Sequence, residues 1–166
     1  MTVKELEAYG MERMDDEEIR QILSTQDVGI LGLPTGEDGI HPGRAPSLRP
    51  LTFWFDGEDT LYFLYVLGAS SRKVELSERA ELARFLVYRV ETTFNWRSTL
   101  LRGSIERVPE GKRDEIKEEI EIPWRPDVFE RASESEDTRI YQFEIEEQTG
   151  IKQLELPPEL RTEGYE

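Results

Sequence analysis

Cysteine is absent from the 166 residues, and histidine occurs once, at position 41. Without thiols there is no disulfide, no thiolate nucleophile and no cysteine-bound metal, and a lone imidazole makes a transition-metal centre a poor expectation. Lysine is scarce, with five residues against sixteen arginines. No apolar run reaches the roughly 20 residues that a membrane-spanning helix needs. The N-terminus, Met1-Thr2-Val3-Lys4-Glu5-Leu6-Glu7, lacks the basic-then-apolar layout of a secretion signal. A soluble cytoplasmic protein is the expectation. Internal repeats and low-complexity segments are missing too, so the length predicts one domain over residues 1–166. Residues 1–14 read as an N-terminal extension and 159–166 as a flexible tail.

Acidic residues number 36 against 21 basic ones, a net charge of -15. Such a chain repels DNA, RNA and anionic membranes, which argues against those partners. Acidic excess with little lysine also fits a salt-adapted proteome, a reading of environment and not of activity. The charge is uneven along the chain. Between His41 and Arg107 there are ten basic and eight acidic residues, so the acidic excess lies wholly in the flanks. A sheet core with little solvated surface explains this blandly; an anionic ligand bound in the middle explains it more sharply.

Within that middle, Ser71-Arg72-Lys73 follows the apolar run Leu61 to Gly68 and opens a helical pattern over Ser71 to Ala80. A hydroxyl, a guanidinium fork and an ammonium near a helix start suit a phosphate group. A solvated helix start is the competing reading. Strand-like runs surround this point: Val28–Leu33, Leu51–Phe55, Thr60–Leu67, Ala83–Val90, Trp96–Val108 with Gly103 as a bulge position, and Arg139–Ile145. Asp56-Gly57-Glu58-Asp59 predicts a hairpin turn, and Thr35 to Pro46 a loop. Helices are expected from Asp15, over Lys112–Glu119, and near Val128-Phe129 after the turn Pro123-Trp124-Arg125-Pro126.

Six strands separated by turns, with helices at the edges, predict a mainly β protein built as a small antiparallel barrel with flanking helices. Alternation sets Leu51, Phe53 and Phe55 on one face of their strand and Thr52 and Trp54 on the other. It likewise separates Trp96 and Ser98 from Arg97.

Taken in order, Val28-Gly29-Ile30-Leu31, Arg49-Pro50-Leu51-Thr52-Phe53, Leu61-Tyr62-Phe63, Ser71-Arg72-Lys73 and Trp96-Arg97-Ser98 resemble the FMN-binding split barrel of the pyridoxamine 5′-phosphate oxidase-like superfamily. The likeness runs from about Asp15 to Pro158 and is similar to small acidic members from salt-loving archaea. The resemblance implies a homodimer with FMN at the subunit interface and a small-molecule substrate. Arg72 and Lys73 would grip the phosphate with Ser71, and Arg49 would add a phosphate-side arginine. Pro50, Leu51 and Thr52 would run along the isoalloxazine ring, with Tyr65 on the neighbouring strand. Trp96, Arg97 and Ser98 would approach from the second subunit. Ion pairing with surface carboxylates competes for Arg49 and Arg97, and a place in the core or dimer contact competes for Trp96.

The function so implied is an FMN-dependent oxidoreductase; the alternative is a protein of the same fold that holds flavin, deazaflavin or haem without turnover. No catalytic residue and no metal ligand can be named. The C-terminus from Glu155 to Glu166 holds one arginine and no histidine. It therefore lacks the segment with which the true oxidase grips pyridoxal phosphate, and the likeness does not extend to vitamin B6 oxidation. His41, in a Gly/Pro loop, reads as a solvated loop residue, and Gly36-Glu37-Asp38-Gly39 lacks the strand-to-helix context of a phosphate loop.

Overall fold

The computed structural model describes residues 1–35, 45–65, 72–119 and 139–161, with only the backbone of Arg72, Lys73, Lys117 and Glu119. His41, Gly36-Glu37-Asp38-Gly39, Ser71 and the expected turn and helix at Pro123–Phe129 lie outside the described residues. The elements in chain order are α1 (Val3–Ala8), β1 (Met11–Arg13), α2 (Asp16–Thr25), β2 (Val28–Leu33), β3 (Ser47–Phe55), β4 (Thr60–Tyr65), α3 (Arg72–Arg79), β5 (Leu82–Thr92), β6 (Asn95–Arg107), α4 (Glu110–Glu119) and β7 (Arg139–Gln153), followed by a 3₁₀ turn at Pro158–Leu160. None of the described helices is long and apolar enough to cross a membrane.

All pairings are antiparallel, in the order β1-β7-β4-β3-β2-β5-β6, and β6 pairs back onto β7. Six strands thus close a barrel, with β1 added at the edge. The predicted mainly β barrel with flanking helices is the fold observed. Opposed residues of neighbouring strands point to the same side, so the registers separate an inner from an outer face. Inward go Leu31, Leu33, Phe53, Leu61, Phe63, Phe85, Leu101 and Phe143, all buried. Phe85 packs edge-on to Phe53 with centroids 5.2 Å apart and tilted on Phe63 at 4.8 Å. Each such ring contributes about 1.5–3 kcal/mol of transfer free energy, which makes this cluster the main stabilising mass.

Helices cover the two ends. α2 starts with a capping box in which the Asp15 side chain accepts from the Glu18 N–H while Glu18 accepts from the Asp15 N–H. Its apolar stripe, Ile19, Ile22 and Leu23, joins the core. α3 buries Val74, Leu76 and Ala80 in the same core at the other end. The expected bulge appears between Arg102 and Gly103, where β7 carries an extra residue, Glu146. A Cβ on Gly103 would stand 2.1 Å from the Glu144 carbonyl oxygen, so no side chain fits there.

Candidate functional site

β3 has different neighbours on its two edges. Its residues Ser47 to Thr52 pair with β2. Among the described residues only Phe53, Trp54 and Phe55 pair with β4. All six residues of β4 pair with β7 on its other edge, Leu64 and Tyr65 with Ile140 and Arg139. Residues 66–71, which follow β4, lie outside the described residues.

Backbone direction fixes what the other edge of β3 displays. The Phe53 N–H donates to the Asp27 carbonyl at 3.0 Å, on the β2 side. Successive residues of a strand aim their N–H and C=O groups at opposite edges. Leu48, Pro50 and Thr52 therefore direct their backbone polar groups toward the β4 side. Pro50 has no N–H to present there, which is why a proline is tolerated inside this strand. Among the described residues that edge carries the Pro50 carbonyl and the Thr52 N–H without a β4 partner.

Side chains follow the alternation expected for this strand. Leu51 and Phe53 are buried, Phe55 packs partly against the core and Thr52 is exposed. Trp54, half-buried outside, packs tilted on Tyr62 with centroids 5.5 Å apart. Leu51 consequently faces the barrel interior and has only its backbone near the outer surface. Arg49 pairs with Leu31, is exposed, and makes no ion pair among the described residues. β3 begins where β4 ends, so Arg49 lies at the α3 end of the barrel. Arg72 and Lys73 form the first turn of α3 there.

Tyr65 is fully buried, and its hydroxyl lies 2.8 Å from Ser77 Oγ of α3. Burial pushes its phenol up to about 12, against a smaller downward pull from the Ser77 bond. Tyr141 of β7 packs on it at 4.5 Å and donates to Glu78 Oε1 at 2.5 Å. Its phenol is raised as well, by burial first and then by the Glu78 carboxylate. This buried polar pair under α3 was not singled out from the sequence; two inward tyrosines at the end of paired strands were its available signal.

Trp96, Arg97 and Ser98 sit elsewhere. They begin β6 and pair with Gln153, Lys152 and Ile151 of β7. The row Arg49–Leu31–Phe85–Leu101 crosses the inner wall. Arg97 is four residues beyond Leu101, so about 13 Å along the strand and three strand spacings of about 4.8 Å separate it from Arg49. One protomer does not bring the two groups together. Trp96 and Ser98 face outward. Trp96 Nε1 donates to Gln153 Oε1 at 3.0 Å, and Gln153 Nε2 donates to the Tyr9 carbonyl at 3.0 Å. Arg97 takes the opposite side, toward α2. There Lys152 Nζ bonds Glu18, and the Lys152 hydrogen bond, then the Asp15 N–H, hold the Glu18 carboxyl below its usual range. Arg97 adds a weaker charge attraction to the same carboxylate.

Outside the barrel, the rows Thr52–Val28, Pro50–Ile30–Leu86–Leu100 and Tyr88–Ser98 make one continuous wall of β3, β2, β5 and β6. Its apolar members are left in solvent: Val28 is 55% exposed, Leu48 63%, Tyr88 48% and Val90 61%. Arg84 and Arg102 share this outer face. Among the described residues no group of three His, Cys, Asp or Glu is placed to hold a metal ion.

A closed antiparallel barrel of six strands with flanking helices is the architecture of the split-barrel class. The chain belongs to the pyridoxamine 5′-phosphate oxidase family, whose description matches residues 15–152. Among solved structures it is similar to an FAD-binding protein of Mesorhizobium loti, with a TM-score of 0.65 and 16% identity over 87% of this chain and 98% of that one. The FAD and haem binding protein of Mycobacterium smegmatis gives a TM-score of 0.65 and 15% identity over 89% of this chain and 75% of that one. The haem storage protein HutZ of Vibrio cholerae gives 0.61 and 11% over 82% of this chain and 94% of that one. At such identities the likeness establishes the fold. Comparison with curated proteins returns no match.

Proposed function

We propose that this protein binds FMN as a homodimer in the cytoplasm and uses the bound flavin in an oxidoreductase reaction on a small molecule. The observation that carries the reading is the β4-facing edge of β3 from Leu48 to Pro50, which has no strand partner among the described residues, at the barrel end where α3 begins. A flavin pyrimidine edge needs one acceptor for its N–H and donors for its carbonyls. The Pro50 carbonyl and the Thr52 N–H supply that pattern from the backbone. Arg72 and Lys73, with Arg49 at the same end of the barrel, supply positive charge for a phosphate, and Ser71 before them supplies a hydroxyl donor. Each charge-assisted hydrogen bond is worth roughly 1.5–3 kcal/mol net, enough for several together to retain a phosphomonoester tightly. The middle of the chain lacks the acidic excess of its flanks, which removes the main electrostatic obstacle to an anion there.

Bound FMN supplies hydride transfer, and the protein orients it and sets the polarity around it. Tyr65, turned into the core, contributes from beneath α3 and not by direct contact. Trp96 and Ser98 reach the flavin of a second copy across the apolar outer wall, which gives that wall its occupant. Arg97 faces α2, so its part is to hold the start of β6 in place. FMN is favoured over FAD because paired cations at a helix start match a terminal phosphate dianion. It is favoured over haem because one histidine and no cysteine leave few axial ligands.

The test is an absorption spectrum of the purified protein with and without added FMN, FAD, deazaflavin or haem, at the high salt that suits a chain of this charge. Bound FMN, bleached by a chemical reductant and lost with Arg72→Ala and Lys73→Ala together, is the expected result. A colourless protein that takes up no micromolar FMN, or one that takes up haem in its place, overturns the reading.

A further inference from the structure

We propose that the Tyr141–Glu78 and Tyr65–Ser77 contacts are a positioning clamp for α3, setting where its first turn meets the phosphate of a bound flavin. The inference rests on the reading of α3 given above. α3 has eight residues, about two turns, too few for a helix to hold itself in water. Its position therefore comes from what it touches. Val74, Leu76 and Ala80 sink it into the core, but apolar burial is non-directional and leaves a short helix free to roll and slide. Directional bonds are needed to stop that motion.

Such bonds come to α3 from two strands. Tyr65 is the last residue of β4 and bonds Ser77 at 2.8 Å. Tyr141 stands on β7 and donates to Glu78 at 2.5 Å. Ser77 and Glu78 are consecutive on the helix and point about 100° apart, so the two bonds pin two azimuths of one short rod. The rings that carry them are themselves packed 4.5 Å apart on adjacent strands. Strand β4, strand β7 and α3 are thus locked into one unit at the end of the barrel where β3 begins. Burial keeps both phenols protonated across the neutral range, so the Tyr141 hydroxyl remains a donor to Glu78. Catalytic residues these are not; they act through α3.

A phosphate-specific readout separates positioning from mere support. FMN and riboflavin share the ring and differ by the phosphate, so the ratio of their dissociation constants isolates what α3 contributes. For Tyr65→Phe with Tyr141→Phe, FMN affinity is expected to fall about tenfold, with riboflavin affinity changed less than about twofold. Glu78→Ala should behave like the tyrosine pair. Glu78→Gln, which still offers an acceptor oxygen to Tyr141, should restore the wild-type ratio. Unchanged riboflavin affinity also certifies that the variants fold. A wild-type preference for FMN that all these variants keep, or an equal loss for both ligands, overturns the clamp while the reading of α3 stands. A wild-type protein that binds FMN and riboflavin equally removes both.

Discussion

Covering the outer wall of β3, β2, β5 and β6 has a calculable value. Val28 is 55% and Val90 61% exposed in one protomer. Full burial of such a side chain is worth about 1.5–3 kcal/mol, so covering the exposed part returns about 1 kcal/mol each. A two-fold interface uses every residue twice. Val28→Asp with Val90→Asp therefore withdraws roughly 4 kcal/mol, a ~1000-fold rise in the dimer dissociation constant, before any cost of burying carboxylates. Because both positions are already solvated in the protomer, its own stability should change by less than about 1 kcal/mol. Sedimentation equilibrium without flavin, in high salt to screen the net charge of -15, reads the oligomer directly. Wild type is expected as a dimer and the variant as a folded monomer. A subsequent FMN titration should show weakened binding, since Trp96 and Ser98 of a second copy are then missing. A variant that remains dimeric, or a wild type that is monomeric at micromolar concentration, refutes the reasoning.

Three other outcomes follow from the geometry. Thr52→Pro deletes an N–H on the β4-facing edge of β3 without touching the β2 ladder, so FMN affinity should fall about tenfold with little change in melting temperature; titration followed by thermal unfolding checks both halves. Gly103→Ala places a methyl 2.1 Å from the Glu144 carbonyl oxygen. Its expected cost is about 3 kcal/mol or more, read as a lowered denaturant midpoint, with wild-type stability as the refuting result. The Glu18 carboxyl is depressed from 4.5, chiefly by Lys152, so its contribution is complete above about pH 4.5 and is lost as pH falls through the lower folded value. Tyr65, raised from 10.0 to about 12, and Lys152, raised from 10.5 by Glu18, act oppositely: their contributions are complete below pH 10 and fade as pH rises past it. Melting temperature against pH should therefore show a plateau between acid and alkaline limbs, and Lys152→Met should shallow both; a wild-type-like profile in that variant refutes the assignment.

The parts of this fold that could be read from residues are those where pattern and environment agree. β2, half in the core, alternates apolar and small residues, and its observed bounds Val28–Leu33 are those predicted. The hairpin at Asp56–Asp59 was legible because Asp56 Oδ1 accepts from three following N–H groups and Gly57 takes a φ of 91°. β3 extends four residues before the expected start, through Pro50. A proline argues against a strand only where its missing N–H is needed, and Pro50 turns its nitrogen away from the β2 ladder. β7 runs on to Gln153 through Glu146-Glu147-Gln148-Thr149, residues too polar to read as a strand. They are held because β6 lies on one side, and because β1 joins the last of β7 on the other. No local signal marks that; β1 has three residues, and its strand partner lies some 140 positions away. The candidate site divides the same way. Cations at a helix start and the face of Thr52 follow from short-range chemistry. The inward turn of Tyr65 onto Ser77, and the distance between Arg49 and Trp96, depend on how β4, β6 and β7 close the barrel. That distance has a consequence for any single-copy account of the site. Residues that strand order alone gathers at one ligand lie at different levels of one wall, and in the proposed dimer a second copy turned against that wall reunites them.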